Sequence, residues 1–270
     1  MLSVNELNFI FMFVCRLRNF GIYIGISLRG STHRSMSSVD NVDYKALRGT
    51  YRGKSDVFTE KDLVAKEPIG QFKSWFELAC QTEGLKEPNA MCLATATRDA
   101  VPSARYVLLK GYGKDGFRFF THYISRKGQE LAENPRAALV FYWEPLKRSV
   151  RIEGAVEKVP ISDSDAYFAS RYRDSQIGTS VSKQSSVIPS REYLTNLEKK
   201  LTIECEGKDV PRPEFWGGYK VIPHTVEFWQ GQTDRIHDRI RFRRPKENEN
   251  PDGVLLHEGE DGWVYERLSP

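Results

Sequence analysis

Cysteine is scarce in this chain: four in 270 residues, at Cys15, Cys80, Cys92 and Cys205. None forms a CxxC pair or stands at zinc-finger spacing from a histidine, which excludes a disulfide scaffold and a structural zinc site as sequence readings. Reduced thiols in an intracellular compartment are the expectation, with Cys80 and Cys92, in apolar contexts, as core fillers. An excess of one charge is also missing. Forty basic against 36 acidic residues leave a formal +4, too little to argue for bulk nucleic-acid binding. No apolar run reaches the roughly 18 residues of a membrane span. The nearest, Phe9 to Leu28, is interrupted by Arg16 and Arg18. No GxGxxG follows a strand, and no GxxxxGK[ST] or HExxH occurs, which argues against a Rossmann site, a P-loop and a zincin. There is no Ser-His-Asp arrangement and no carboxylate set for a metal. If the chain is an enzyme, an organic cofactor carries its hard chemistry.

The first 45 residues stand apart. Glu6 is the only acid before Asp40, while Arg16, Arg18, Arg29 and Arg34 are basic. An acid-poor, Arg-bearing, Ser-containing leader has the character of an organelle transit peptide, mitochondrial if so. An unstructured extension, or a leader before a second start at Met36, fits the same residues. A cytoplasmic location is the expectation otherwise. Residues 46 to 270 read as one domain.

Within that domain Pro68 opens a helix in which Ile69, Phe72, Trp75, Phe76, Ala79 and Cys80 recur at helical spacing. Strands are expected at Met91–Thr97, Ala104–Lys110, Phe117–Thr121, Ala137–Trp143, Val150–Val159, Trp216–Trp229 and Arg239–Arg244, with a turn over Gly111–Gly116. Ser125 caps a short helix to Leu131, and Asp163 to Arg171 reads as another. Tyr172 to Pro189 is rich in Ser, Gln and Gly and reads as a long loop. Ser190 caps a last helix with Leu194, Leu197 and Leu201 on one side. Many strands at hairpin spacing with few helices predict a mainly β fold with peripheral helices, an antiparallel barrel rather than a βαβ sheet.

The densest chemistry lies in Val226 to Arg239. A strand ends at Gly231, and a charged stretch follows at once. Extended backbone over Arg235–Arg239 would set Arg235, His237 and Arg239 on one face, an arrangement that calls for an anion. A solvated charged edge strand is the plainer reading. Basic residues also recur at strand ends in two sets: Arg105 with Arg126, Lys127 and Ser185, and Lys110 with Tyr167, Arg171 and Ser175. Cationic side chains, hydroxyls and a helix N-terminus are what phosphate binding needs. Two sets point to two phosphorylated small molecules, provided that folding brings each set together.

The stretch Glu227-Phe228-Trp229, five residues, then Arg235-Ile236-His237-Asp238-Arg239 resembles the signature of the pyridoxine (pyridoxamine) 5′-phosphate oxidase family. Similar stretches run in order from Asn89–Thr95 through Pro102–Arg105, Leu108–Gly111, Gly116–Thr121, Ser125–Gly128, Phe141–Trp143 and Gln184–Ser186 to Trp216–Tyr219. The resemblance covers residue 48 to the C-terminus. It implies a Greek-key-like split β-barrel, a homodimer with FMN at sites across the subunit interface, and oxidation of pyridoxine or pyridoxamine 5′-phosphate to pyridoxal 5′-phosphate by O2. By resemblance Arg105, Tyr106, Val107, Leu108, Phe120, Thr121, Arg126, Lys127, Gln184, Ser185, Trp229 and Arg239 contact FMN. Lys110, Tyr167, Arg171 and Ser175 look like the substrate-phosphate set. Arg235, Ile236 and His237 would cover the substrate ring, with Arg235 and His237 as the catalytic pair. Arg52, Gly53, Lys54 and Ser55 resemble an arm that closes over the substrate. No metal, nucleic acid or membrane is implied. Ser149 stands where relatives commonly carry a glutamine that touches FMN, and Asp234 where many carry asparagine. A vitamer-binding delivery protein and a split-barrel flavin reductase are the competing readings.

Overall fold

A computed structural model describes Tyr51 and residues 56–270. The expected leader and the Arg52–Ser55 arm lie outside the described residues. All described elements belong to one compact unit, residues 49–270.

Among the described residues, ten strands make one antiparallel sheet: β1 (Ala90–Ala96), β2 (Pro102–Leu108), β3 (Gly111–Gly113), β4 (Gly116–His122), β5 (Arg136–Trp143), β6 (Arg148–Lys158), β7 (Trp216–Gln230), β8 (Asp238–Arg243), β9 (His257–Glu258) and β10 (Val264–Arg267). Five helices lie around it: α1 (Pro68–Gln81), α2 (Arg126–Glu133), α3 (Ile161–Ala169), α4 (Arg173–Val181) and α5 (Arg191–Glu204). The mainly β expectation is met.

The long strand β7 organises the sheet. One edge pairs with β6 along its length. The other is shared, with β4 on Trp216–Val221 and β8 on Thr225–Gln230. A single strand thus feeds two directions, and the sheet splits there. Pro223 sits at the changeover, opposite Gly154, where the β6–β7 register shifts. Proline has no N–H to give the ladder, and an irregularity is where a strand tolerates it. Gly154 is required at this spot, since a Cβ would come within 2.1 Å of the Ile222 carbonyl oxygen.

Helix α1 packs on the core of the sheet. Pro68 fixes its start, and the Glu67 carboxylate accepts the Ile69 and Gly70 N–H groups. Its buried face presents Phe72 and Trp75. Phe72 is enclosed by Phe76, Tyr112, Phe117, Phe141 and Trp143, with ring centroids 4.9–6.3 Å away. A smaller cluster of Phe168, Ile177, Cys205, Val210 and Trp216 lies among the helices.

Four local expectations need correction. Tyr172–Pro189 is not all loop: α4 forms there, because Ile177 and Thr179 have a core to bury against and the Gln176 side chain donates to the Phe168 carbonyl. Tertiary packing outweighs the weak helix propensity of Ser, Gly and Thr. Strand β3 occupies part of the expected Gly111–Gly116 turn. Cys80 is exposed and Cys92 half-buried, since Ala79 takes the core-facing position on α1. Arg235–Arg239 is not continuously extended. Arg235 has φ 68° and its N–H donates to the Gln232 carbonyl (3.3 Å), so a tight turn precedes β8. Arg235 therefore does not share a strand face with His237 and Arg239.

Phe72→Ala should lower unfolding free energy by about 3–5 kcal/mol through lost burial and the cavity left behind. Denaturant titration at fixed protein concentration checks this; a loss under about 1 kcal/mol would mean that the cluster does not anchor α1.

Candidate functional site

The turn after β4 sets the first half of the site. Ser125 Oγ donates to the His122 carbonyl (2.6 Å) and accepts the Gly128 N–H (3.3 Å), which caps α2. Gly128 allows the helix to sit on the backbone of that turn; a Cβ would stand 2.2 Å from the Tyr123 carbonyl oxygen. Arg126 and Lys127 consequently occupy the first turn of α2, where the helix dipole favours anions.

Lys127 points into a cleft of about 550 Å³. Its Nζ donates to Gln184 Oε1 (2.7 Å), which also accepts from Thr121 Oγ1 (3.2 Å). The cleft is also lined by Tyr106, Val107 and Leu108 of β2 and by Lys110, Arg171 and Ser175. Its apolar wall is aromatic: Phe120 lies 4.1 Å from Tyr167 and 5.5 Å from Trp216 between ring centroids. The Arg171 guanidinium sits over the Trp216 ring at 5.1 Å and donates to Thr179 Oγ1 (2.7 Å). Lys110 Nζ approaches the Tyr167 ring at 5.9 Å. Thus the structure brings Lys110, Tyr167, Arg171 and Ser175 together, and places Phe120, Thr121, Lys127 and Gln184 in the same cleft.

Positive charge dominates the electrostatics of this cleft. Burial, and then the nearby Arg105, push the Lys127 ammonium down to about 8. Burial, Lys127 and Arg171 push the His122 imidazole down to about 4, so the ring is neutral at pH 7. His122 Nδ1 is buried without a hydrogen-bond partner among the described residues. Burial lowers Arg171 as well. Each shift expresses positive charge held away from water without enough negative charge nearby.

Arg105 and Arg126 stand beside this cleft rather than in its lining. Both pair with Glu130 of α2, at 3.3 and 2.9 Å. Ser185, with φ 74°, is exposed and also outside the lining.

Trp229 and Arg239 are elsewhere. They face each other across the β7–β8 ladder and line a second cleft of about 420 Å³ with Tyr142, Ser149, Arg151 and Glu227. Glu227 is buried and accepts from both Arg151 and Arg239. Burial would raise its pKa, but the two guanidiniums outweigh burial and hold it low. Ser149 Oγ donates to the Phe141 carbonyl (2.8 Å), so its hydroxyl is turned to the adjacent strand. His237 packs near Trp229, 4.9 Å between ring centroids, and near Tyr51 at 5.8 Å. Its Nδ1 accepts the Gln232 N–H (2.9 Å), which leaves the proton of the neutral ring on Nε2. Arg235 and Ile236 are exposed. Asp234 accepts the Ile236 N–H (3.1 Å) and forms no ion pair with Arg235 among the described residues. Asp238 faces the opposite way, as strand alternation requires, and accepts from Phe58 N–H, Gln232 and Arg267.

Comparison with known proteins matches residues 79–195 to the family model described as pyridoxamine 5′-phosphate oxidase. Residues 216–270 match a pyridoxine 5′-phosphate oxidase C-terminal dimerisation region. The chain belongs to the pyridoxamine 5′-phosphate oxidase family. A Bombyx mori protein named pyridoxine/pyridoxamine 5′-phosphate oxidase is 56% identical over 232 residues, 85% of this chain and 90% of that one. A Bos taurus pyridoxine-5′-phosphate oxidase is 56% identical over 230 residues, 85% of this chain and 88% of that one. Among solved structures, PhzG from Burkholderia lata is 30% identical, with TM-score 0.70 over 82% of this chain and all of that one. A Nostoc punctiforme FMN-binding protein of 15% identity, TM-score 0.54 over 74% of this chain and 97% of that one, shares the fold. Within this oxidase family fold, His237, Trp229 and Arg239 fall in the dimerisation region, the second cleft is lined by both matched regions, and the first cleft is built mostly by the preceding part of the chain.

Sequence reasoning missed His122, Trp216, Thr179, Glu130 and Glu227 as site residues. Glu130 had a signal, lying four residues after Arg126 on one helix. His122 and Trp216 become visible only when β4 and β7 pair, Thr179 only when α4 docks, and Glu227 stood in the signature without a role of its own.

Proposed function

We propose that the chain is a flavin-dependent oxidase using FMN, which converts pyridoxine 5′-phosphate and pyridoxamine 5′-phosphate to pyridoxal 5′-phosphate. O2 is the electron acceptor and yields hydrogen peroxide; the amine also releases ammonia. One observation carries the reading: a single cleft with an aromatic wall holds cationic groups from two separate parts of the chain. The identity to relatives named for this activity supports it.

The donor set fits FMN. Lys127, Thr121 and Gln184 line the cleft, with Arg105 and Arg126 beside it, for one phosphate. Tyr106, Val107, Leu108 and Phe120 supply backbone and apolar surface for a planar ring. Bound there, FMN would supply the acceptor for the hydride leaving substrate C4′ and the route of its electrons to O2. Lys110, Arg171, Ser175 and Tyr167 hold the substrate phosphate, and binding there fixes the position of the carbon to be oxidised. Such positioning contributes several kcal/mol to barrier lowering (up to about 7–11 in favourable systems). His237 presents an Nε2–H donor that orients the substrate, and exposed Arg235 closes over it together with Ile236.

The two clefts complete one site through a homodimer. The dimerisation-region match covers Trp229, Arg235, His237 and Arg239, which supports a reading in which these side chains serve the first cleft of the partner subunit. Arg151 and Arg239 both pair with Glu227, and Arg151 also with Glu153, so this cluster is balanced in charge and its role is to hold the Arg239 guanidinium in place. Ser149, already bonded within the sheet, leaves the glutamine contact of relatives unmade. Asp234 serves its turn, as asparagine would.

Purified protein loaded with FMN should form pyridoxal 5′-phosphate from each vitamer with one peroxide per turnover, followed by product absorbance and oxygen uptake together. Vitamer binding without oxygen uptake would contradict the oxidase reading. Arg235→Ala should keep the flavin and lose at least about tenfold in turnover, the scale of one positioned charge-assisted contact. Flavin loss with unchanged residual rate would show that Arg235 does not close over the substrate.

A pH profile tests Lys127. Its ammonium loses its proton as pH rises through about 8, so affinity for FMN should weaken about tenfold between neutral and strongly alkaline pH. Lys127→Met should flatten that profile. Equal slopes in both proteins, measured by fluorescence titration with riboflavin as control, would show that Lys127 does not meet the phosphate.

A further inference from the structure

Glu130 is only 3% exposed, yet it is an acid beside a cleft argued to bind anions. Its carboxylate joins three elements. Ser103 of β2 donates to both oxygens (2.8 and 2.6 Å), Thr95 of β1 donates to Oε2, and Arg126 of α2 donates to Oε1 at 2.9 Å. Arg105 of β2 reaches Oε2 at 3.3 Å. The Arg105 guanidinium is fixed on its other sides by the Leu93 carbonyl (3.2 Å), Thr95 and Ser103. Burial would raise the pKa of Glu130, but these hydrogen bonds outweigh it and bring it to about 2, so the group is ionised throughout the working pH range. Lys127, next to Arg126, feels the charge of both Arg105 and Glu130.

Three cations and one carboxylate leave a charge of +2. A phosphate monoester carries about −1.5 to −2 near neutral pH. Without Glu130 the set would be +3, with three like charges repelling one another and two flexible arginines free to turn to solvent. With it, the guanidiniums stand at defined points and their charge matches one ligand.

We propose that Glu130 is a positioning residue for phosphate recognition: its buried carboxylate holds Arg105 and Arg126 in place and trims the cationic set to the charge of one phosphate monoester. This rests on the flavin reading of the first cleft. It also makes Glu130 a determinant of discrimination between FMN and riboflavin, which differ only in the phosphate.

The test measures FMN and riboflavin affinities of the full-length, flavin-stripped protein by fluorescence titration at several salt concentrations. Glu130→Gln keeps the side-chain volume and removes the charge. It should weaken FMN about tenfold, leave riboflavin within about twofold, and steepen the salt dependence of FMN binding. Ser103→Ala keeps the charge but removes one of the carboxylate's four partners, and should weaken FMN about threefold with riboflavin unchanged. Equal losses for both flavins in Glu130→Gln would show a purely structural carboxylate and overturn the proposal. Unchanged or tighter FMN binding would overturn it too. If circular dichroism shows Glu130→Gln unfolded, Ser103→Ala and Thr95→Val decide, and an unaltered FMN-to-riboflavin ratio in both overturns it. Wild-type protein that binds neither flavin would sink the functional reading itself, and this proposal with it. Wild-type preference for FMN that survives every variant would sink the proposal alone.

Discussion

Positive charge withheld from water is the constraint around which this protein is arranged. Lys127 and Arg171 are held in or beside an aromatic-walled cleft, and burial disfavours the charged form of each. Folding alone gives such groups no return, because a desolvated cation without a full complement of anions costs free energy. The arrangement makes sense as one completed by ligand phosphate. Glu130 and Glu227 supply partial compensation at two places, each buried and each shared between two arginines. What remains uncompensated is the charge that the proposed phosphate ligands would neutralise.

The sheet places these charges. Because β7 shares one edge between β4 and β8, the aromatic cleft grows from its first half and the Trp229–Arg239 cleft from its second. The bulge at Glu153/Gly154 and Pro223 marks the changeover between them. Two half-sites on one long strand suit the proposed twofold arrangement, and the second half of β7 lies in the region matched as a dimerisation region. On the apolar face of α5, Leu201 packs against the Phe168–Trp216 cluster, while Leu194 and Leu197 line an open groove of about 640 Å³ with Val187 and Ile188.

Much of this was legible in the sequence, for identifiable reasons. Alternation and turn residues located the main strands, and Ser125 announced α2 because a cap is a local interaction. The Lys110, Tyr167, Arg171 and Ser175 group was readable as a set and does meet in one cleft. Arg235 was misplaced because a residue in left-handed backbone leaves no mark in a hydrophobic pattern, and arginine is an unusual occupant of that conformation. Helix α4 was missed because its stability comes from Ile177 and Thr179 docking on a distant cluster. His122 and Trp216 were unreadable as site residues, since only the β4–β7 pairing brings them together. The sequence likewise could not divide the cofactor set into two clefts, because that separation follows from which edge of β7 each strand takes.

The central claim is that one assembled site holds two phosphates at once, in separate cationic cradles. Phosphorus NMR of the full-length dimer with FMN and pyridoxal 5′-phosphate together tests it most directly. The account predicts two resolved bound resonances per subunit, with only the pyridoxal phosphate signal lost in Arg171→Ala. A single bound resonance, or displacement of one ligand by the other, would contradict it.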